Sequence, residues 1–139
     1  MNKLKKQLEK LTESEISDSI TLMKESIERL FAAKKFKVLD VKNNTSKHNV
    51  KGVYLITTNE KITYVGKTRT GTIGSRLRDH VNIKERSDLN QMIKQHENFP
   101  QEIKEYDVQY IKISEGRERG RVENFIISIL NPPFNKIEY

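Results

Sequence analysis

Gly52-Val53-Tyr54-Leu55-Ile56-Thr57 and Ile62-Thr63-Tyr64-Val65-Gly66 are two β-branched and aromatic runs separated by the short polar segment Thr58-Asn59-Glu60-Lys61. Such runs suit a pleated, half-buried surface, and a polar connection of this length reads as the turn of an antiparallel hairpin. Side chains alternate between the faces of a strand, so Tyr54 is expected to share a face with Ile56, and Tyr64 with Ile62 and Gly66.

After the hairpin, Gly71-Thr72-Ile73-Gly74 is a turn, and Ile73, Leu77 and Val81 recur at the spacing of a helix's buried side, with Arg76 and His80 on its flank. A second helix is expected from Asp88 to Glu97, ending before Pro100, and Val108, Tyr110, Ile111 and Ile113 read as a third strand. The last helix is expected to begin between Gly116 and Gly120, with Val122, Phe125, Ile126 and Ile129 as its core stripe. Asn131-Pro132-Pro133 ends it, because proline cannot donate the next helical hydrogen bond. The order is ββααβα, an α+β pattern.

Upstream, Leu4, Leu8 and Leu11 have helical spacing, and Thr12-Glu13-Ser14-Glu15 has the form of a capping box that starts a new helix. Ile16, Ile20, Met23, Ile27, Leu30 and Phe31 then form an amphipathic stripe. It is expected to pack on the rest of the chain, the alternative being a homodimer through this helix. Phe36 to Val41 reads as a short strand and Asn43 to Asn49 as a polar loop. These features divide the chain into a helical N-terminal extension and linker, 1–50, and a second domain, 51–139.

The 139 residues carry 26 lysines and arginines against 19 acids, a net charge of +7 that favours a polyanionic partner. Lys67, Arg69, Arg76, Arg78, Lys84 and Arg86 against Asp79 and Glu85 concentrate charge at 67–86. There is no cysteine, which excludes disulfides, thiolate metal sites and a cysteine nucleophile. No apolar run is long enough to span a membrane, and Met1 to Lys10 is too polar for a signal-peptide core. A reducing cytoplasm is the expected location.

Read singly, the polar residues have ordinary explanations. Arg76 and His80 lie one helical turn apart, as on many solvated helix faces. Glu123 follows core residue Val122, where a carboxylate needs a partner: Arg119 at i−4, or a hard cation bound through oxygen. Tyr54 and Tyr64 are common strand aromatics, and His48 and His96 read as loop or surface residues.

Together, Gly52-Val53-Tyr54, Tyr64-Val65-Gly66, Arg76-x-x-x-His80, Glu123 and Asn135 resemble the GIY-YIG nuclease family from about Lys51 to Asn135, with valine for isoleucine in both name motifs. The resemblance implies a small three-stranded antiparallel sheet flanked by helices and a divalent metal, Mg2+ or Mn2+, for hydrolysing phosphodiesters. It implies that Glu123 holds the metal, that Arg76 fixes the phosphate, and that Tyr54 is the general base with His80 as proton acceptor or orienter. Tyr64 would contact phosphate or water, the two tyrosines being interchangeable in these roles. Asn135 would organise the site, and Lys67, Arg69 and Arg78 would bind substrate. The substrate is expected to be DNA, with RNA the other polyanion to test. The enzyme would be a low-specificity monomer or a restriction-type dimer, and the competing reading is a non-catalytic nucleic-acid-binding or nuclease-inhibiting module on the same fold. No zinc finger or other reader signature accompanies the motifs, so specificity is expected from residues 1–50, from the loops at 68–71 and 84–104, or from a partner, or to be slight.

Overall fold

A computed structural model describes residues 2–9, 13–58, 61–82 and 88–135. In chain order its elements are α1 (Asn2–Glu9), α2 (Glu13–Ala32), β1 (Phe36–Lys37), α3 (Val38–Asn43), β2 (Gly52–Thr58), β3 (Lys61–Lys67), α4 (Ile73–Asn82), α5 (Asp88–Lys94), β4 (Asp107–Lys112) and α6 (Gly116–Leu130). Single 3-10 turns lie at Thr45–His48 and Ile103–Glu105. No helix among the described residues is long and apolar enough to cross a membrane. The expected capping box at Thr12 and the basic residues Lys84 and Arg86 fall outside the described residues.

The three expected strands are present and β1 adds a fourth at one edge, giving an antiparallel sheet in the order β1-β4-β2-β3. The run Phe36 to Val41 is strand for only two residues. Val38 and Val41 are both buried, a spacing of three that a helix satisfies and a strand does not, and Val38 N–H is taken by the Tyr106 carbonyl as the chain turns into α3. The stretch Asn43 to Asn49, expected as loop, is the end of α3 and a 3-10 turn.

Helices cover both faces. Tyr54, Ile56 and Val108 point to one core with Val38 and Val41 of α3, Ile73 and Leu77 of α4, and Leu89 and Ile93 of α5. Val53, Leu55, Val65 and Ile111 point to the other with Leu30 of α2 and Val122 and Ile126 of α6. The central strand β2 is thus buried on both faces, which is why it reads as a continuous apolar run.

Two local features depart from simple periodicity. The β2–β3 register slips between Ile56 and Thr57, so Thr63 is an extra residue in β3. This bulge sends Ile62 to the α2/α6 core while Tyr64 faces the other, so the two do not share a side as alternation predicts. On α2, Met23, Ile27 and Leu30 meet the sheet, but Ile16 and Ile20 on the same stripe remain 48% and 53% exposed, because the helix runs past the layer that it covers.

After α6 the chain doubles back through Asn131, in the left-handed conformation at φ 44°, and buries Phe134 against His96, Phe99 and Tyr106 with ring centroids 5.2, 5.3 and 5.9 Å away. Phe134→Ala is expected to lower stability by about 3–5 kcal/mol in urea unfolding. A loss below about 1 kcal/mol would mean that this segment is not part of the cooperative core.

Candidate active site

The hairpin decides where the first phenol goes. Tyr54 on β2 stands opposite Gly66 on β3, and its ring occupies the space above that glycine: a methyl group on Gly66 would lie 2.4 Å from the Tyr54 hydroxyl oxygen. No other residue type leaves room for this ring. The Tyr54 side chain is fully buried, so its hydroxyl needs a partner within the protein, and it lies 2.8 Å from His80 Nε2 on α4. With the imidazole neutral and its proton on Nδ1, Nε2 accepts the Tyr54 O–H. Tyr64, part-buried, closes a triangle with ring centroids 6.2 Å from Tyr54 and 6.0 Å from His80.

Arg76, one turn before His80, lies near enough for its guanidinium to act on the ionisation of both phenols, and each phenol acts on the other. The electrostatics follow from burial. Desolvation raises the pKa of Tyr54 well above the ordinary phenol value, and Arg76 opposes this without overcoming it. With its pKa raised, Tyr54 rests as a neutral phenol. Tyr64 is raised for the same reason. Burial, and then Arg76, push His80 down to about 3, so the ring is neutral at physiological pH.

Glu123 comes from the opposite side of the sheet. It follows Val122, whose side chain is in the α2/α6 core, and reaches over the end of β3, where Oε1 is 3.9 Å from Lys67 Nζ. Burial raises its carboxyl pKa, while Lys67, Arg69 and Arg76 pull it down. Its charge is also felt by both phenols. A polar cleft of about 420 Å³ opens beside these groups, between the end of β3 and the start of α4, with Lys67, Arg69, Thr70, Ser75, Arg76 and Asp79 on its walls.

Of the residues singled out from sequence, Tyr54, Tyr64, Arg76, His80, Glu123, Lys67 and Arg69 therefore converge. Arg78 does not line the cleft; its Nε is 3.8 Å from Asp79 Oδ1. Asn135 acts on backbone: its Oδ1 accepts Val65 N–H and its Nδ2 donates to Val65 C=O, both at 2.9 Å, so a side-chain amide pairs with the free edge of β3 between Tyr64 and Gly66.

Arg119 is not the partner of Glu123. It is 5% exposed and donates to the carbonyls of Thr68, Arg69, Ile113 and Ser114, tying the loop after β3 to the loop before α6. Its position three residues before Val122, on the buried stripe of α6, was the available sign that this arginine is held inside. His48 is also not a surface residue. It is buried under Phe36 with Nδ1 2.6 Å from the Tyr110 hydroxyl, a pairing across 62 residues with no local signature.

The His80 shift has a defined sign. Between pH 6.5 and about 3 the unfolded chain takes up a proton that the folded ring refuses, so stability increases with pH across that window and this contribution is level above it. Between pH 7 and 4.5, wild type should lose on the order of 2–3 kcal/mol more than His80→Gln in urea unfolding. Identical losses would show that the ring charges freely in the folded state.

The family model of the GIY-YIG catalytic domain matches residues 50–138. Among solved structures, a point mutant of the GIY-YIG N-terminal endonuclease domain of UvrC from Thermotoga maritima, bound to its catalytic divalent cation, is similar at 18% identity and a TM-score of 0.50, covering 70% of this chain and 97% of that one. A second cation-bound point mutant of the same domain is similar at 17% identity, a TM-score of 0.50 and the same coverage. No curated protein matches. A match over well more than half of the sequence, on a sheet flanked by helices that brings the paired tyrosines, the arginine and the glutamate together, establishes that this chain belongs to the GIY-YIG family and is an endonuclease of that type.

Proposed function

We propose that the chain hydrolyses phosphodiester bonds in DNA at the cluster of Tyr54, Tyr64, Arg76, His80 and Glu123, with a divalent cation, Mg2+ or Mn2+, on Glu123. The observation that carries this reading is the meeting of two neighbouring phenols, a guanidinium and a carboxylate surrounded by cations, with the guanidinium on the wall of a polar cleft. Among the described residues no group of three or more His, Cys, Asp or Glu converges. One carboxylate beside an open cleft suits a hard cation that keeps most of its waters and takes the remaining oxygens from a substrate phosphate, and does not suit a four-ligand zinc site. The UvrC domains to which the fold is similar bind a catalytic divalent cation, which supports the same assignment here.

When bound, such a cation neutralises charge on the scissile phosphate and the departing 3′ oxygen. Arg76 offers its guanidinium to the phosphate from the side of α4 and stabilises the charge that grows there as water attacks phosphorus. Water must lose a proton in the same event. Tyr64 is the more accessible phenol, its ring centroid is 6.2 Å from that of Tyr54, and the Tyr54 hydroxyl is 2.8 Å from His80 Nε2, which sets out a relay from Tyr64 to a buried imidazole. Along it Tyr64 takes the proton of water, Tyr54 receives that of Tyr64, and His80 receives that of Tyr54. In the empty site burial and Arg76 oppose a charged imidazole, and bound phosphate supplies the negative charge that offsets them.

Magnesium-dependent digestion of supercoiled, linear duplex and single-stranded DNA, and of RNA, tests the reading and ranks the substrates. Glu123→Gln should bind DNA and lose cleavage by about a thousandfold or more, and Arg76→Ala should lose about a hundred- to a thousandfold. Full activity of purified Glu123→Gln would overturn the metal assignment. Retention of DNA without cleavage by the wild-type protein at any magnesium concentration would favour the non-catalytic module.

A further inference from the structure

Lys67 stands between two places where an anion can sit. Its Nζ is 3.9 Å from Glu123 Oε1 and lies over Gly120, where a β-carbon would come within 3.2 Å of it. The same side chain lines the polar cleft with Arg69, Thr70, Ser75 and Arg76. Lysine suits a position shared in this way: its ammonium is a compact point charge on a flexible stem, with no planar fork to hold it to one partner.

The charges around Glu123 are lopsided. Lys67, Arg69 and Arg76 all act on this one carboxylate, and Asp79 is the acid among the residues that line the neighbouring cleft. A divalent cation arriving alone enters a field already dominated by positive charge and meets a carboxylate that has a counter-ion. A nucleic-acid backbone in the cleft reverses both conditions, adding negative charge and presenting phosphate oxygens to the lysine.

We propose that Lys67 is an exchangeable counter-ion, neutralising Glu123 in the free protein and moving to a backbone phosphate when DNA binds, so that DNA and the divalent cation bind with positive coupling. The proposal rests on the reading of Glu123 as the cation ligand and adds an order to it: the carboxylate becomes available where substrate is present. Because coupling is reciprocal, the cation raises DNA affinity by the same factor that DNA raises cation affinity.

The test measures Mn2+ binding to the full chain by electron paramagnetic resonance, without and with a short duplex whose bridging 3′ oxygens are methylene groups, which keeps the phosphate charge and blocks hydrolysis. Wild type is expected to bind Mn2+ about tenfold or more tightly with the duplex than without it. Lys67→Met should bind Mn2+ several-fold more tightly than wild type in the absence of DNA and lose about a factor of three or more of the coupling. Lys67→Arg, which keeps the charge, should keep the weak binding of the free protein. If Lys67→Met binds Mn2+ without DNA no better than wild type, the exchange is overturned; thermal melting shows whether that variant is folded, and Lys67→Gln replaces it if it is not. Glu123→Gln separates the two readings: Mn2+ binding unchanged in that variant removes the ligand assignment itself, whereas binding lost with Glu123→Gln but indifferent to Lys67→Met leaves the assignment standing and removes only the exchange.

Discussion

A phenol sealed from water has to find its hydrogen-bond partner inside the protein, and the arrangement of this site follows from how Tyr54 does so. Its ring can lie across β3 only because residue 66 has no side chain, and its hydroxyl can be satisfied only if α4 presents His80 at the right height. That one contact fixes the distance between hairpin and helix. It also brings Arg76, one turn earlier, near both phenols. The buried hydroxyl is thus a gauge for the whole cluster.

Backbone groups around the site are satisfied with equal economy. The outer edge of β3 would present unpaired amide and carbonyl groups at Val65, beside Tyr64, and the side chain of Asn135 answers both. The loop that carries Lys67 and Arg69 toward the cleft is held by Arg119, which spreads one guanidinium over carbonyls from two loops. Each holds a segment from which a side chain of the cluster projects. The asymmetry of charge, several cations around one carboxylate, is the feature on which the proposed order of binding rests.

Much of the fold could be read from residue patterns where one local rule governed. The hairpin, the helices at Ile73 and Gly116 and the stop at Asn131-Pro132-Pro133 each depend on near neighbours, and each is where periodicity puts it. Reading failed where a distant partner decided. Thr63 bulges and reverses the side of Ile62; Val38 and Val41 turn a strand-like run into helix; His48 disappears beneath Phe36 to meet Tyr110. The pairing of Glu123 with Lys67 instead of Arg119 is of the same kind. Helical spacing favoured the neighbour at i−4, whereas the unpaired carbonyls of two loops claimed that arginine first.

The sequence by itself determined which chemical groups the site has and, through the spacing of its two glycine-tyrosine motifs and of Arg76 and His80, which of them share a strand face or a helix turn. These relations are short-range and follow from backbone geometry alone. Only the tertiary structure decided which groups are desolvated, the partner of each charge and the contact between Tyr54 and His80. Those depend on desolvation and on groups tens of residues away, which no local pattern encodes until the chain has folded around them.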